Sequence, residues 1–104
     1  MNARRVGPLE LVPGARGVLL RGEYISLTAH EYALLKALAV EPTRVFTKEE
    51  LIQIVWGFRS LGSTKSLDAT ATTLRKKIAI HGDCVIVNVW GVGYRLTNHE
   101  TVTA

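Results

Sequence analysis

A single cysteine, Cys84, in a chain of 104 residues excludes an internal disulfide, and its place in the apolar run CVIVNV points to a small buried side chain rather than to redox chemistry. The three histidines, His30, His81 and His99, are too scattered to supply the clustered ligands of a metal site, so neither a metal nor another cofactor is expected. Long apolar runs are missing as well. None approaches the roughly 18 to 20 uncharged residues of a membrane-spanning helix, and the segment MNARRVGPLELVPG lacks the apolar centre of a signal peptide. A cytoplasmic chain with no membrane partner is therefore expected. No glycine-rich phosphate loop follows a strand, because Gly91-Val92-Gly93 leads into Tyr94 and Arg95, and no activated serine or paired-acid constellation is visible. An enzyme is not expected. Acidic residues are in the minority, with nine Asp and Glu against thirteen Lys and Arg and a net charge of +4, which favours polyanionic partners without requiring them.

What is present is core material. A hydrophobic share of 47% against 21% charged residues argues against intrinsic disorder, and the length fits one domain spanning 1–104, with a core over about 8–98. Apolar runs of four, LELV, GVLL and YISL, alternate with Pro13-Gly14 and Arg21-Gly22-Glu23. Such short runs between turn residues read as an antiparallel sheet, with strands near 8–12, 17–21 and 24–27. The period changes at Thr28. Thr28 and Glu31 form a capping box, Leu34, Leu35 and Leu38 continue an apolar side with Glu31, and Pro42 closes a helix over about 28–40. Thr47 and Glu50 repeat the box ahead of Leu51, Ile54 and Val55, predicting a second helix over about 48–56. Phe58 to Ser63 then reads as a loop.

In TKSLDATATTLRKKIAIHG, Leu67, Ala71, Leu74 and Ile78 fall at i, i+4, i+7 and i+11, within about 60° on a helical wheel. That stripe faces the core, and the third helix runs over 65–81 to Gly82. Lys65, Ala69, Thr72, Thr73 and Lys76 fall on the other side, a face of small, hydroxyl and cationic side chains without a carboxylate. The run CVIVNVWGVGYRLT closes the pattern as a hairpin over 84–97 around Trp90-Gly91-Val92-Gly93, with Val85, Val87 and Val89 alternating against Cys84, Ile86 and Asn88.

The fold class this implies is α+β: an N-terminal antiparallel β-sheet, three helices forming a winged helix-turn-helix, and a C-terminal β-hairpin wing. A major groove of about 12 Å admits one helix, and a hairpin reaches the neighbouring backbone or minor groove, so double-stranded DNA is the polyanion this arrangement suits. Lys65, Arg75, Lys76 and Lys77 can neutralise phosphates, while Thr70, Thr72 and Thr73 can donate hydrogen bonds to phosphates or base edges. Thr methyls and Ala69 can touch a thymine methyl. The bland readings stand beside these: Arg75-Lys76-Lys77 also suits a solvated helix C-terminus, and Trp56 and Trp90 are large enough to be core residues.

The ordered set LTAHEYALL, VFTKEELIQIVWG, TKSLDATATTLRKKI and NVWGVGYRL, over roughly residues 20–97, resembles the effector domain of OmpR/PhoB-type response regulators. The resemblance implies a transcriptional regulator with an N-terminal four-stranded sheet, a third helix in the major groove and a loop, 57–64, that can face RNA polymerase. Carried over residue by residue, Ala69 and Thr73 lie against bases with Asp68 close by. Trp56, Lys65, Ser66, Thr70, Thr72, Arg75 and Asn88 lie near phosphates, Trp90 lies at the wing tip, and Tyr94 supports the wing. Lys76 joins this set as an outward cation. A homodimer on tandem half-sites is a subsidiary expectation.

The chain also departs from the pattern. Many members carry Arg or His where this chain has Thr70, Thr72 and Thr73, and often Arg at the position of Trp90, although Trp occurs there in relatives. Fewer cations release fewer counterions, so modest affinity and a shallow salt dependence are expected. No receiver domain with its acidic cluster and phosphorylated Asp is found in these residues, which leaves an effector fragment and a regulator switched by other means as alternatives. A module that binds a protein through Trp90, Val92, Phe58 and Leu61 is the competing function.

Overall fold

The computed structural model describes residues 4–6, 9–11, 17–20, 22–41, 43–57, 63–79 and 84–98. Four short strands, β1 (Arg4–Val6), β2 (Leu9–Leu11), β3 (Gly17–Leu20) and β4 (Glu23–Ser26), form an antiparallel sheet in chain order. Leu11 faces Val18 across β2 and β3, and Val18 faces Ile25 across β3 and β4. The period of two therefore puts Leu11, Val18 and Leu20 into the core. The strand expected at 8–12 is observed as β2 over Leu9–Leu11, and residues 8 and 12 lie outside the described residues. A separate strand, β1, which the alternation did not signal, precedes it.

Helix α1 (Ala29–Val40) begins at Thr28, whose Oγ1 accepts from the Glu31 backbone N–H at 3.1 Å while Glu31 Oε1 accepts from the Thr28 N–H at 2.9 Å. Leu34, Leu35 and Leu38 are fully buried, as the spacing requires. The same reciprocal cap starts α2 (Lys48–Trp56), with Thr47 and Glu50 exchanging bonds of 2.9 and 3.1 Å. Here one expectation fails. Leu51 is buried and Val55 half-buried, but Ile54 is exposed, and Ile52 packs against the core in its place. At about 100° per residue, positions 51, 52 and 55 and positions 51, 54 and 55 span equal arcs, so the wheel alone does not choose between Ile52 and Ile54.

Helix α3 (Thr64–Ala79) carries the buried stripe. Leu67, Leu74 and Ile78 are fully inaccessible and Ala71 is 1% exposed. Ser63 caps its first turn, accepting from the Ser66 N–H at 3.2 Å, a role that the loop assignment of 58–63 did not foresee. Residues 80–82, where the sequence ends this helix at Gly82, lie outside the described residues, as does the side chain of Cys84.

The hairpin of β6 (Cys84–Val89) and β7 (Gly93–Asn98) pairs with a two-residue strand, β5 (Phe46–Thr47), to give a second antiparallel sheet in the order β5-β7-β6. The wing turn closes with Val92 N–H donating to the Val89 carbonyl at 3.0 Å, and Gly91 takes the positive φ of 78° that this turn needs at its third residue. Gly93 is required by proximity: a Cβ there would lie 1.8 Å from the Phe46 carbonyl oxygen. The absence of that atom lets β5 pair with β7 and seats the start of α2 on the wing. Among the described residues no helix is long and apolar enough to cross a membrane.

Candidate nucleic-acid interface

Burying Leu67, Ala71, Leu74 and Ile78 turns the opposite side of α3 outward, and Lys65, Ser66, Ala69, Thr72, Thr73, Arg75 and Lys76 are all exposed there. Thr70 is half-buried at the margin of this face. Among the described residues Lys65, Arg75 and Lys76 have no carboxylate partner. Their charge is available to an external anion.

Lys77 is not so placed. Its Nζ lies 2.6 Å from Oε1 of Glu31 on α1, so the expectation that it neutralises phosphate is corrected. Glu31 is 3% exposed and gathers the Thr28 N–H, the Lys77 ammonium and the Thr73 hydroxyl, the last at 2.6 Å. Burial pushes its carboxyl up, but these donors and the Lys77 charge more than compensate, and its pKa lies below the ordinary glutamate value. The buried carboxylate is thus a strut between α1 and α3.

The threonine hydroxyls need a second correction. Thr70 donates to the Ser66 carbonyl at 2.9 Å, Thr72 to the Asp68 carbonyl at 2.8 Å, and Thr73 to the Thr70 carbonyl at 3.0 Å as well as to Glu31. Their protons are spent within the protein. The donors expected to face a duplex are therefore turned back on the helix, a habit of threonine in helices.

Asp68, expected beside the bases, is instead held from the wing and from α2. Tyr94 Oη donates to its Oδ1 at 2.5 Å, and Lys48 Nζ lies 3.2 Å from the same oxygen, over the Tyr94 ring. Burial, followed by the bond to Asp68, raises the Tyr94 hydroxyl well above its ordinary pKa, so it stays a donor. This contact joins α3, β7 and α2 and fixes the wing against the helix. Tyr94 supports the wing as expected, whereas the part of Lys48 carried no sequence signal.

Asn88 sits half-buried on β6 opposite Tyr94, and Trp90 stands at the turn with 90% of its surface exposed. A core role for Trp90 is ruled out by that exposure. Trp56 is half-buried against the core at the end of α2, with its ring centroid 4.7 Å from that of His30 in the first turn of α1. His30 is exposed and directly precedes Glu31, so Trp56 and Thr73 flank the same turn of α1. The structure thus gathers the α3 residues on one face with the wing fixed beside it, and sets Trp56 at the far margin. Of loop 57–64 only Gly57, Ser63 and Thr64 are described, and Phe58 and Leu61 lie outside the described residues.

Three helices with a hairpin packed beside the third define a winged helix-turn-helix. Residues 22–96 match the family model described as transcriptional regulatory protein, C terminal, and the chain belongs to that family, the OmpR/PhoB-type winged-helix domains. It is 41% identical over 81 residues to the uncharacterized transcriptional regulatory protein YclJ of Bacillus subtilis, covering 77% of this chain and 36% of that protein. To the DNA-binding response regulator MtrA of Mycolicibacterium smegmatis it is 38% identical over 92 residues, covering 86% of this chain and 40% of that protein. The crystal structure of the response regulator AdeR DNA-binding domain in complex with an intercistronic region superposes with a TM-score of 0.78 at 29% identity, covering 90% of this chain and 98% of that one. The chain thus spans 36% to 40% of the length of these two curated relatives.

Proposed function

We propose that residues 1–104 form one DNA-binding domain of a transcriptional regulator, which places α3 in the major groove and the wing on the adjacent backbone or minor groove. The observation that carries this reading is the outward face of α3, where Lys65, Arg75 and Lys76 have no carboxylate partner among the described residues and stand over a fully buried stripe. Within it, Ala69 and Thr73 meet bases. Trp56, Lys65, Ser66, Thr70, Thr72, Arg75, Lys76 and Asn88 lie along phosphates, and Trp90 reaches from the wing. Asp68 acts from behind this face by holding the wing. The AdeR DNA-binding domain, solved in complex with an intercistronic region, supports DNA binding by this fold. The domain works in the cytoplasm by binding alone, without catalysis, and its contacts with RNA polymerase through 57–64 and with a second copy on tandem half-sites belong to the same reading. A titration of promoter duplexes at low salt tests it. Lys76→Glu and Thr73→Ala are expected to weaken binding, and failure to bind any duplex would refute it.

The exposure of Trp90 and Val92, 90% and 45%, favours one second reading, a wing that docks on a protein. A protein partner that protects Trp90 from solvent while Lys76→Glu leaves complex formation unchanged would support that reading over DNA.

A further inference from the structure

The hydrogen bonds of α3 say which chemistry its base-facing side chains have left to offer. Thr73 gives its hydroxyl proton to a carboxylate that is 3% exposed, at 2.6 Å, with the Thr70 carbonyl as a second acceptor. A charge-assisted bond of this length is roughly twice as strong as a neutral one. Turning the hydroxyl toward a base edge would also strip a donor from buried Glu31. The hydroxyl therefore stays where it is. With Oγ1 fixed against α1, the staggered geometry at Cβ leaves the Cγ2 methyl as the outer group of the Thr73 side chain. Four residues earlier on the same face, exposed Ala69 offers only its own methyl. Thr70 and Thr72 are likewise bonded back to the helix.

Resting on the DNA-binding reading above, we propose that Thr73 is a specificity residue that recognises thymine through methyl–methyl contact, with buried Glu31 as the positioning residue that holds its hydroxyl out of the groove. The C5 methyl of thymine is the one apolar mark that the major groove presents. A methyl on the outward face, four residues from that of Ala69, is suited to that mark.

The test begins by selecting duplexes from a randomised pool on the full chain. Each thymidine of the enriched duplex is then replaced in turn by deoxyuridine, and affinities are measured by fluorescence anisotropy. Removing a contacted methyl is expected to weaken binding about fourfold at a position under α3. Thr73→Ser, which keeps the hydroxyl and its bond to Glu31, should abolish the penalty at that position. Thr73→Val, which keeps a methyl and lacks the hydroxyl, should retain the penalty at that position. No deoxyuridine penalty at any position, a penalty that persists in Thr73→Ser, or a penalty that vanishes in Thr73→Val would overturn the inference while DNA binding stands. A pool that yields no enriched duplex would overturn the DNA-binding reading and the inference with it.

Discussion

Glu31 shows how one residue both starts a helix and ties it to another. As the third residue of its helix it closes a capping box, and as a buried anion it takes Lys77 and Thr73 from α3. Its pKa is depressed in the fold. The stability it contributes is therefore complete above the unfolded glutamate value of about 4.3 and disappears as pH falls through the lower folded value. Glu31→Gln is expected to flatten the acid limb of the stability curve, measured by urea unfolding from pH 6 down to pH 2. Glu31→Ala should cost about 2 kcal/mol at pH 7, at the low end for a broken buried pair because solvent screens the partly exposed Lys77. An unchanged acid limb in the Gln variant would remove Glu31 from the account of stability.

At the scale of elements, the second sheet depends on Gly93. With a Cβ 1.8 Å from the Phe46 carbonyl oxygen, Gly93→Ala must push β5 away from β7 and displace the start of α2. A loss of about 2 kcal/mol is expected, together with loss of amide protection at Tyr94 and Phe46 in hydrogen exchange. The helices were legible before the fold because their signals are local: two Thr-x-x-Glu boxes and a stripe at i, i+4, i+7 and i+11 lie within single segments. What escaped the sequence is non-local. Strand β5 is two residues whose partners are 46 to 48 positions away, too short for any alternation to register. Lys77 and Thr73 read as outward cation and donor because a helical wheel shows direction and cannot show that a carboxylate from α1 waits beside them. The recruitment of Asp68 by Tyr94 and Lys48 escaped for the same reason. Ile54 was misplaced because nine residues give a coarse wheel in which Ile52 competes with it.

Across the whole molecule, a net charge of +4 overstates what the interface can use. Lys77 and Lys48 are committed to Glu31 and Asp68, and Arg44 is committed to Glu41 and Glu50. Lys65, Arg75 and Lys76 remain on α3. Counting one phosphate for each, the logarithm of the binding constant should fall with the logarithm of salt at a slope of roughly −3 per protomer, shallow for a regulator. A slope near −8 per protomer would require cations that the described surface does not offer.

The most direct test of the central claim is an amide NMR titration of the chain with an enriched duplex. The account predicts shifts concentrated at Lys65 to Lys76 and at Asn88 to Val92, with β1 to β4 unmoved. Shifts confined to the wing turn, with the amides of α3 silent, would contradict it.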